Sequence, residues 1–247
     1  MTAKFDIVIV GAGIAGSSAA AELAENANVL LLDMEEQPGF HATGRSAAFF
    51  APSYGNATVR GITAVSEHFY HKPPKDFTDV ELIRSRDAVF IAREDQLVQL
   101  KEMEKEIPLL KPLSTNEACA LVPVLDREYI AAGLRDELGG DLDVDAILQG
   151  YLRLFRLRGG ELRCRQRVKA LQYSDGIWTL QTESQSISAP ILVNAAGAWA
   201  DVVAELAGVA KLGLQPMKRT AVLIDPNQSN NSGKDIDISQ WPLVVDV

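Results

Sequence analysis

The sequence has few of the residues that build disulfide frameworks and metal sites. It contains two cysteines and three histidines among 247 residues, and Cys119 and Cys164 lie in no CxxC or metal-ligand spacing. The two thiols are interpreted as buried groups in a reducing compartment. A disulfide between them is the alternative interpretation. His68 and His71 could share one helix face, but no third ligand is apparent, so no metal site is predicted.

Positive charge and long apolar runs are also scarce. The net charge is −9, the pI is near 4.9, and no run of lysine and arginine occurs, so no nucleic-acid partner is predicted. No stretch approaches the ~18 consecutive apolar residues of a transmembrane helix. Asp6 interrupts the apolar N-terminal stretch, where Lys4 is the only basic residue, which argues against a signal peptide. The expected location is the cytoplasm, with the inner face of the membrane as an alternative.

Several hydrolase and nucleotide-hydrolysing motifs are missing as well. GxSxG, HExxH and GxxxxGK[ST] do not occur, which excludes a nucleophile elbow, a zinc-protease helix and a P-loop. The composition, with 47% hydrophobic and 23% charged residues, is typical of globular proteins. The length suits one large domain or two intertwined ones.

The first 33 residues show the pattern of a βαβ unit. Residues 5–10 (FDIVIV) are apolar and rich in β-branched residues, as in a strand buried on both faces. A glycine turn follows, then an alanine-rich helical pattern that ends near Asn26. Residues 28–33 (NVLLLD) predict a second buried strand. The crossover requires these two strands to pair in parallel.

Three glycines in the turn point to a dinucleotide. Gly11, Gly13 and Gly16 in GAGIAG match GxGxxG, in which they permit a tight turn, close approach of a pyrophosphate and close helix–strand packing. The helix N-terminus adds free N–H groups and the positive end of its dipole. Asp33, at the end of the second strand, is placed to bind a ribose and would repel the extra phosphate of NADP. With strand, helix and acid in register, an ordinary glycine turn is the weaker interpretation.

The segment from Pro38 to Ala48 favours FAD over NAD. It has neither helical nor strand periodicity, and it combines hydroxyl groups, backbone donors and Arg45 with compact side chains. Such a loop can fold over a diphosphate and a flavin, whereas an irregular surface loop would carry more polar residues.

Local patterns predict further elements along the chain. Residues 57–71 and 143–158 have helical patterns, and Ser114 with Glu117 fits the capping box of a short helix. Residues 190–197 (PILVNAAG) predict another buried strand that meets a glycine. The apolar segment 241–247 has no obvious partner, so it is expected to pair with chain that is missing.

Three segments then make the sequence recognisable. GAGIAG, QPGFHATGRSAA and ILVNAAGAWAD together resemble the D-amino acid oxidase family of FAD-dependent oxidoreductases, and within it the bacterial D-arginine dehydrogenases. The likeness also runs through VPVL, DVDAILQGYLR and LAGVAKLGLQP. Family members are considerably longer, and a further active-site wall lies in their C-terminal part, so that part is expected to be missing here.

The resemblance implies an α/β fold in which a Rossmann-type FAD-binding domain is interleaved with a strand-rich substrate domain. Residues 1–56 and 143–206 would form the FAD-binding domain. Residues 57–142 and 207–247 would form an incomplete substrate domain. The FAD contacts implied by the resemblance are Gly11, Gly13, Ala15 and Gly16 at the pyrophosphate, Asp33 and Met34 at the adenosine ribose, Ala42, Thr43, Gly44, Arg45, Ser46, Ala47 and Ala48 along the diphosphate and flavin, Val168 at the adenine, and Ala196 and Gly197 beside the cofactor.

The resemblance also implies a substrate site. Tyr54 and Arg219 would line it, and the planar guanidinium of Arg219 would grip a substrate carboxylate. Phe49 replaces a histidine, and Asp87 replaces the glutamate that meets a cationic substrate side chain in D-arginine dehydrogenases. These two replacements argue against specificity for arginine.

The implied activity is oxidation of the Cα–H of a small amino acid, with hydride transfer to flavin N5 and no catalytic side-chain base. A quinone or oxygen would accept the electrons. Two alternatives stay open: a related flavoenzyme for a 2-hydroxy acid or a secondary amine, and a truncated, inactive FAD-binding fragment.

Overall fold

The computed structural model describes residues 5–218, 220–222, 225 and 237–247. The chain divides into two compact units. Unit 1 comprises Met1–Ala47, Pro73–Val80 and Val144–Thr220, and unit 2 comprises Ala48–Lys72, Glu81–Asp143 and Ala221–Val247. In chain order the elements are β1 (Ile7–Val10), α1 (Ile14–Leu23), β2 (Val29–Leu32), β3 (Phe49–Phe50), α2 (Ala57–His71), β4 (Ile83–Ser85), β5 (Ala88–Ala92), a 3-10 turn (Glu94–Gln96), α3 (Leu97–Glu106), β6 (Lys111–Leu113), α4 (Thr115–Leu121), β7 (Ala132–Asp136), β8 (Gly140–Leu142), α5 (Val144–Leu157), β9 (Glu161–Arg163), β10 (Ala170–Ser174), β11 (Ile177–Gln181), β12 (Ser186–Ala189), β13 (Ile191–Asn194), a second 3-10 turn (Gly197–Trp199), α6 (Ala200–Leu206) and β14 (Leu243–Asp246).

These units differ from the predicted domain boundaries at four places. Residues 48–56 and Asp143 fall in unit 2, whereas 73–80 and 207–220 fall in unit 1. Phe49 and Phe50 pair with β8, which belongs to unit 2. Phe77 stacks edge-on against Tyr151 of α5 at 4.9 Å, which ties its segment to unit 1.

Unit 1 is built on a parallel sheet of order β13-β1-β2-β9. Every residue of β1 and β2 is buried, which explains their uninterrupted apolar sequences. Helix α1 connects these two strands and packs against α5. The predicted βαβ unit is therefore confirmed, and it is the Rossmann-type sheet that the sequence indicated.

A second, antiparallel sheet of order β10-β11-β12 completes unit 1. Leu180 of β11 and Ile187 of β12 pack with Val8 and Leu30 of the parallel sheet in one buried cluster. Val168, which precedes β10, joins the same cluster. The antiparallel sheet thus packs against the parallel sheet through this buried cluster.

Unit 2 is rich in strands. One sheet has the order β14-β5-β7-β6, with β14 parallel to β5 and the other pairs antiparallel, and the second has the antiparallel order β3-β8-β4. Strand β5 is buried throughout, and its alternate side chains enter two different clusters: Phe90 packs with α3, and Ile91 packs near Ala118 of α4. The terminal apolar segment, for which the sequence indicated no partner, pairs with β5, where Leu243 to Asp246 align with Ala88 to Ile91.

Several local predictions are confirmed. Helix α2 spans residues 57–71, and α4 begins with a capping box in which Ser114 and Glu117 exchange hydrogen bonds. Cys119 and Cys164 are both free, so the disulfide alternative is excluded. Among the described residues, none of the helices is long and apolar enough to cross a membrane.

Gly150 of α5 offers a direct test of the unit 1 core. A Cβ at this position would lie 2.2 Å from Cε1 of Phe77, whose side chain is 1% exposed and has little room to move. We expect Gly150→Ala to lower the free energy of unfolding by about 1–2 kcal/mol, because overpacking outweighs the gain in helix propensity. Urea denaturation measures this change.

Gly61 of α2 provides the matched control. A Cβ there meets nothing within 4 Å, so Gly61→Ala should stabilise the protein by up to about 1 kcal/mol. Equal effects of the two substitutions would contradict the packing seen around Phe77.

Candidate functional site

The three glycines of the GAGIAG turn differ in what surrounds them. Gly11 has φ +105°, and a Cβ there would lie 2.4 Å from the carbonyl oxygen of Ala195. A Cβ on Gly16 would lie 1.8 Å from the carbonyl oxygen of Gly11. Gly11 and Gly16 are therefore required by the fold itself. A Cβ on Gly13 would approach only Thr43 Oγ1, at 3.2 Å, so of the three glycines this one leaves space for a ligand to approach.

The N-terminus of α1 opens beside this turn. Gly13 is its N-cap and supplies no side chain, and the first turn holds no acidic residue. Thr43 reaches over from the following loop, and its Oγ1 accepts the N–H of Ile14 at 3.0 Å. Ala15 follows in the same turn of the helix. This arrangement suits a diphosphate, which the helix dipole and the terminal N–H groups attract.

Asp33 couples the glycine turn to the loop after β2. Its Oδ2 accepts the N–H of Ala12 at 2.8 Å, and its Oδ1 accepts the N–H of Glu35 at 2.9 Å. A carboxylate offers about four acceptor sites, so both oxygens keep capacity for ribose hydroxyl groups. The acid predicted to bind ribose is thus held in position by backbone donors.

A cavity of about 230 Å³ in unit 1 lies at the carboxyl ends of β1 and β2. This is where ligands bind in open α/β sheets. The structure brings eight of the predicted cofactor residues to this cavity. They are Gly11, Asp33, Met34, Ala42, Thr43, Val168, Ala196 and Gly197.

The other predicted cofactor residues do not line this cavity. Gly13, Ala15 and Gly16 form the turn and the start of the helix beside it, while Gly44, Arg45, Ser46, Ala47 and Ala48 lie further along the loop. Gly44 donates its N–H to Gly39 O at 2.7 Å and lines a second cleft with Leu148 of α5. Arg45 lies over the Phe40 ring at 5.2 Å.

Part of the cavity wall was not predicted from the sequence. The added residues are Val10, Leu32, Gly39, Phe40, His41, Gln166, Arg167, Ala198, Trp199, Val202, Val203 and Leu206. Gly39, Phe40, His41, Ala198 and Trp199 stand inside the motifs that carried the resemblance, and Leu206 begins a further similar segment. The remaining residues lie outside the segments on which the resemblance was based.

The described substrate-site candidates all lie in unit 2, but they do not meet in one cavity. Tyr54 is 63% exposed and lines a cleft of about 320 Å³ together with Ser53, Arg60 and Met103. Phe49 lies in β3, and its ring packs against Gly139. Neither Phe49 nor Asp87 lines that cleft. Arg219 lies outside the described residues.

Asp87 already has a cationic partner. Its Oδ2 accepts hydrogen bonds from Nε of Arg135, at 2.7 Å, and from Nη2 of the same side chain. The two side chains are 28% and 32% exposed, respectively. Its negative charge is therefore largely compensated within unit 2.

A buried acid fixes the loop that carries Tyr54. Asp136 is fully buried at the end of β7, and it accepts N–H groups from Ser53 at 3.3 Å and from Leu138 at 2.9 Å. The backbone next to Tyr54 is therefore anchored, although its side chain is exposed.

Asp201 holds the segment that follows α6. It accepts the N–H groups of Leu212 at 2.9 Å, Gly213 at 2.9 Å and Leu214 at 2.8 Å. Desolvation acts to raise the pKa of Asp201, but the three backbone donors and Lys211 together lower the pKa below its ordinary value. A lowered pKa means that this clamp stabilises the fold above the ordinary carboxyl range and is lost as the pH falls through the lowered value.

We expect Asp201→Ala to free the 212–214 amides. Loss of a charge-assisted acceptor should speed their hydrogen exchange at neutral pH by about tenfold or more. Mass spectrometry of a peptide from this segment measures the rate. Asp237→Ala removes a comparable carboxylate, which accepts the N–H of Ser239 at 2.9 Å, and should leave the 212–214 amides unchanged. Unaltered exchange in Asp201→Ala would show that these bonds do not hold the segment.

Comparisons with known proteins agree with this architecture. A family model described as DAO, FAD dependent oxidoreductase, matches residues 6–246. Human mitochondrial dimethylglycine dehydrogenase is 27% identical over 220 residues, covering 83% of this chain and 25% of that protein. L-2-hydroxyglutarate dehydrogenase from Indibacter alkaliphilus is 23% identical over 212 residues, covering 82% of this chain and 52% of that protein.

The fold is also found in solved structures. L-proline dehydrogenase from P. horikoshii superimposes with a TM-score of 0.77 at 20% identity, covering 100% of this chain and 65% of that one. This confirms the predicted α/β class with Rossmann-type and strand-rich sheets. The chain spans between a quarter and about half the length of the two curated relatives named above.

FAD, the predicted cofactor, fits the residues that form the cavity. The open side of Gly13, the exposed start of α1 and the anchored Asp33 supply what a diphosphate and a ribose require. Because the family model extends over nearly the whole sequence, the chain belongs to the DAO family of FAD-dependent oxidoreductases.

Proposed function

We propose that this chain forms the FAD-binding part and a portion of the substrate domain of an enzyme that oxidises a small amino acid at Cα, in the manner of a D-amino acid dehydrogenase. The observation that carries the proposal is the unit 1 cavity, where the glycine turn, Asp33 and the loop through Thr43 converge. Human dimethylglycine dehydrogenase and L-proline dehydrogenase, both similar to this chain, are named for amino acids or their N-methyl derivatives.

The proposed roles divide between cofactor binding and substrate binding. Bound FAD supplies the acceptor for the hydride that leaves the substrate Cα. In unit 1, Asp33 holds the ribose and the α1 N-terminus holds the diphosphate. Tyr54 of unit 2 and Arg219 are proposed to position the substrate, with the Arg219 guanidinium binding its carboxylate. Such a reaction depends on positioning more than on a side-chain base.

Flavin content and anaerobic reduction test this proposal. The purified chain, or a longer version of it, is reconstituted with FAD, and the flavin absorbance is followed after anaerobic addition of single substrates. D-amino acids are expected to bleach the flavin, and the product should be the imine, which hydrolyses to the 2-oxo acid. Failure to bind FAD would contradict the assignment of the cavity. Bleaching by hydroxy acids alone would contradict the substrate class.

A second candidate function is oxidation of a 2-hydroxy acid. The observation that favours it is the similarity to L-2-hydroxyglutarate dehydrogenase. D-leucine and the hydroxy acid with the same side chain form a matched pair, since they differ only in the amine and hydroxyl groups. Preferential bleaching by the hydroxy acid would select this candidate, and bleaching by sarcosine would select a secondary-amine dehydrogenase.

A third outcome separates binding from turnover. A chain that takes up FAD but is not bleached by any of these substrates would be a cofactor-binding fragment. If bleaching does occur, admitting oxygen or a soluble quinone to the reduced protein then identifies which of the two proposed acceptors restores the flavin absorbance.

A further inference from the structure

Two aromatic side chains from distant segments meet at the wall of the FAD cavity. His41 belongs to the loop after β2, and Trp199 ends the 3-10 turn after β13. Their ring centroids are 4.5 Å apart, with an angle of 52° between the planes. Both residues line the cavity. They therefore connect its two sides.

His41 is fixed on its own side by Glu35. Its Nε2 lies 2.8 Å from Glu35 Oε1, and the two side chains are 34% and 27% exposed, respectively. The N–H of Glu35 is bound in turn to Asp33 Oδ1. The imidazole is thus oriented by the same short segment that carries the ribose-binding acid.

Trp199 is fixed on the opposite side by the backbone of its turn. The backbone N–H of Trp199 donates to Ala196 O at 2.9 Å. Asn194 braces the turn from the end of β13, since its Oδ1 accepts the N–H of Ala196 at 3.2 Å and its Nδ2 donates to Ala200 O at 2.8 Å. The indole is half-buried, and the backbone that carries it is held by these bonds.

We propose that Glu35, His41 and Trp199 form a clasp that retains bound FAD, and that the cofactor leaves only when the His41–Trp199 contact opens. The proposal rests on the assignment of the unit 1 cavity to FAD. Contacts between two aromatic rings are of a size that changes a rate roughly threefold to tenfold. Such a contact acts on release more than on entry, because most affinity differences appear in the dissociation rate.

The experiment measures the FAD dissociation rate of the reconstituted chain by the rise of flavin fluorescence after dilution. His41→Ala and Trp199→Leu should each speed release roughly threefold to tenfold. Because the two residues share one contact, the double variant should release FAD no faster than the faster single variant. Additive effects, or unchanged rates, would overturn the clasp.

Glu35 and Trp178 supply the controls. Glu35→Gln keeps an acceptor for His41 and should stay near the parent rate, whereas Glu35→Ala should speed release. Trp178 of β11 contacts Tyr173 at 4.9 Å, also with tilted rings, and does not line the cavity. Trp178→Leu should leave the dissociation rate unchanged. If it speeds release as much as Trp199→Leu does, the effect is general destabilisation and the clasp is refuted.

Tryptophan emission provides a second readout. Quenching by FAD should fall more in Trp199→Leu than in Trp178→Leu, since only Trp199 borders the cavity. Equal quenching in both variants would argue against the clasp. Different results would refute the clasp and the assignment of the cavity to FAD. If every variant releases FAD at the parent rate, only the clasp is refuted. If the parent chain takes up no FAD, the assignment of the cavity is refuted.

Discussion

Gly13→Val is expected to abolish FAD binding while the chain still folds. The backbone of Gly13 has φ −73°, which any residue adopts, and a Cβ there meets only Thr43 Oγ1 at 3.2 Å. A branched side chain would occupy the space that the pyrophosphate needs. We expect an increase in the FAD dissociation constant of at least ~100-fold, or about 3 kcal/mol. Flavin stoichiometry after purification and a fluorescence titration measure it.

Gly16→Ala separates binding from folding. Its Cβ would lie 1.8 Å from the carbonyl oxygen of Gly11, so α1 could not pack against β1 as it does. This variant should lose both the flavin and the cooperative unfolding transition, whereas Gly13→Val should lose only the flavin. Gly13→Val protein that purifies yellow, with the parent amount of flavin, would show that the pyrophosphate lies elsewhere.

For the proposed D-amino acid oxidation, neutral D-amino acids should be oxidised about as well as D-arginine. In the resemblance to D-arginine dehydrogenases, Asp87 is one methylene shorter than the corresponding glutamate, and Phe49 offers an apolar ring in place of a histidine. The structure adds a further reason, since Asp87 is already bound by Nε and Nη2 of Arg135. A carboxylate that is satisfied by an arginine attracts a second cation weakly.

Two substitutions test this reasoning through kcat/KM for D-arginine and D-leucine. Asp87→Glu lengthens the acidic arm, and Arg135→Leu releases the carboxylate from its partner. Each should shift the ratio toward D-arginine, the second by about tenfold if one charge-assisted contact becomes available to the substrate. Arg153→Leu breaks an exposed ion pair with Asp79 and should not change the ratio. A parent enzyme that strongly prefers D-arginine would contradict the prediction, as would an unchanged ratio in both variants.

Local patterns predicted the elements that border the unit 1 cavity. Strands β1 and β2 are buried on both faces, so their apolar runs were visible without any knowledge of their neighbours. The capping box at Ser114 and Glu117 was predictable for the same reason, because its partners are three residues apart. The relation of the glycine turn to Asp33 is equally short-range, since one βαβ unit contains both.

The contacts of the substrate-site candidates could not be predicted from local patterns. Asp87 and Arg135 face each other because β5 pairs antiparallel with β7 near these positions. Their separation along the chain is 48 residues, and no periodicity indicates which strands become neighbours. The resemblance named Asp87 as a substrate contact but gave no sign of its partner.

By itself, the sequence determined the Rossmann-type βαβ unit, the glycine turn and the acid at the end of β2, because each depends on residues close together in the chain. The tertiary structure alone decided why Gly11 must be glycine, since the carbonyl that excludes a side chain belongs to Ala195. It also decided that β14 pairs with β5 and that His41 meets Trp199. These contacts join segments that are far apart in the chain and meet only when separate elements pack. Local sequence patterns do not report the free energy of that packing.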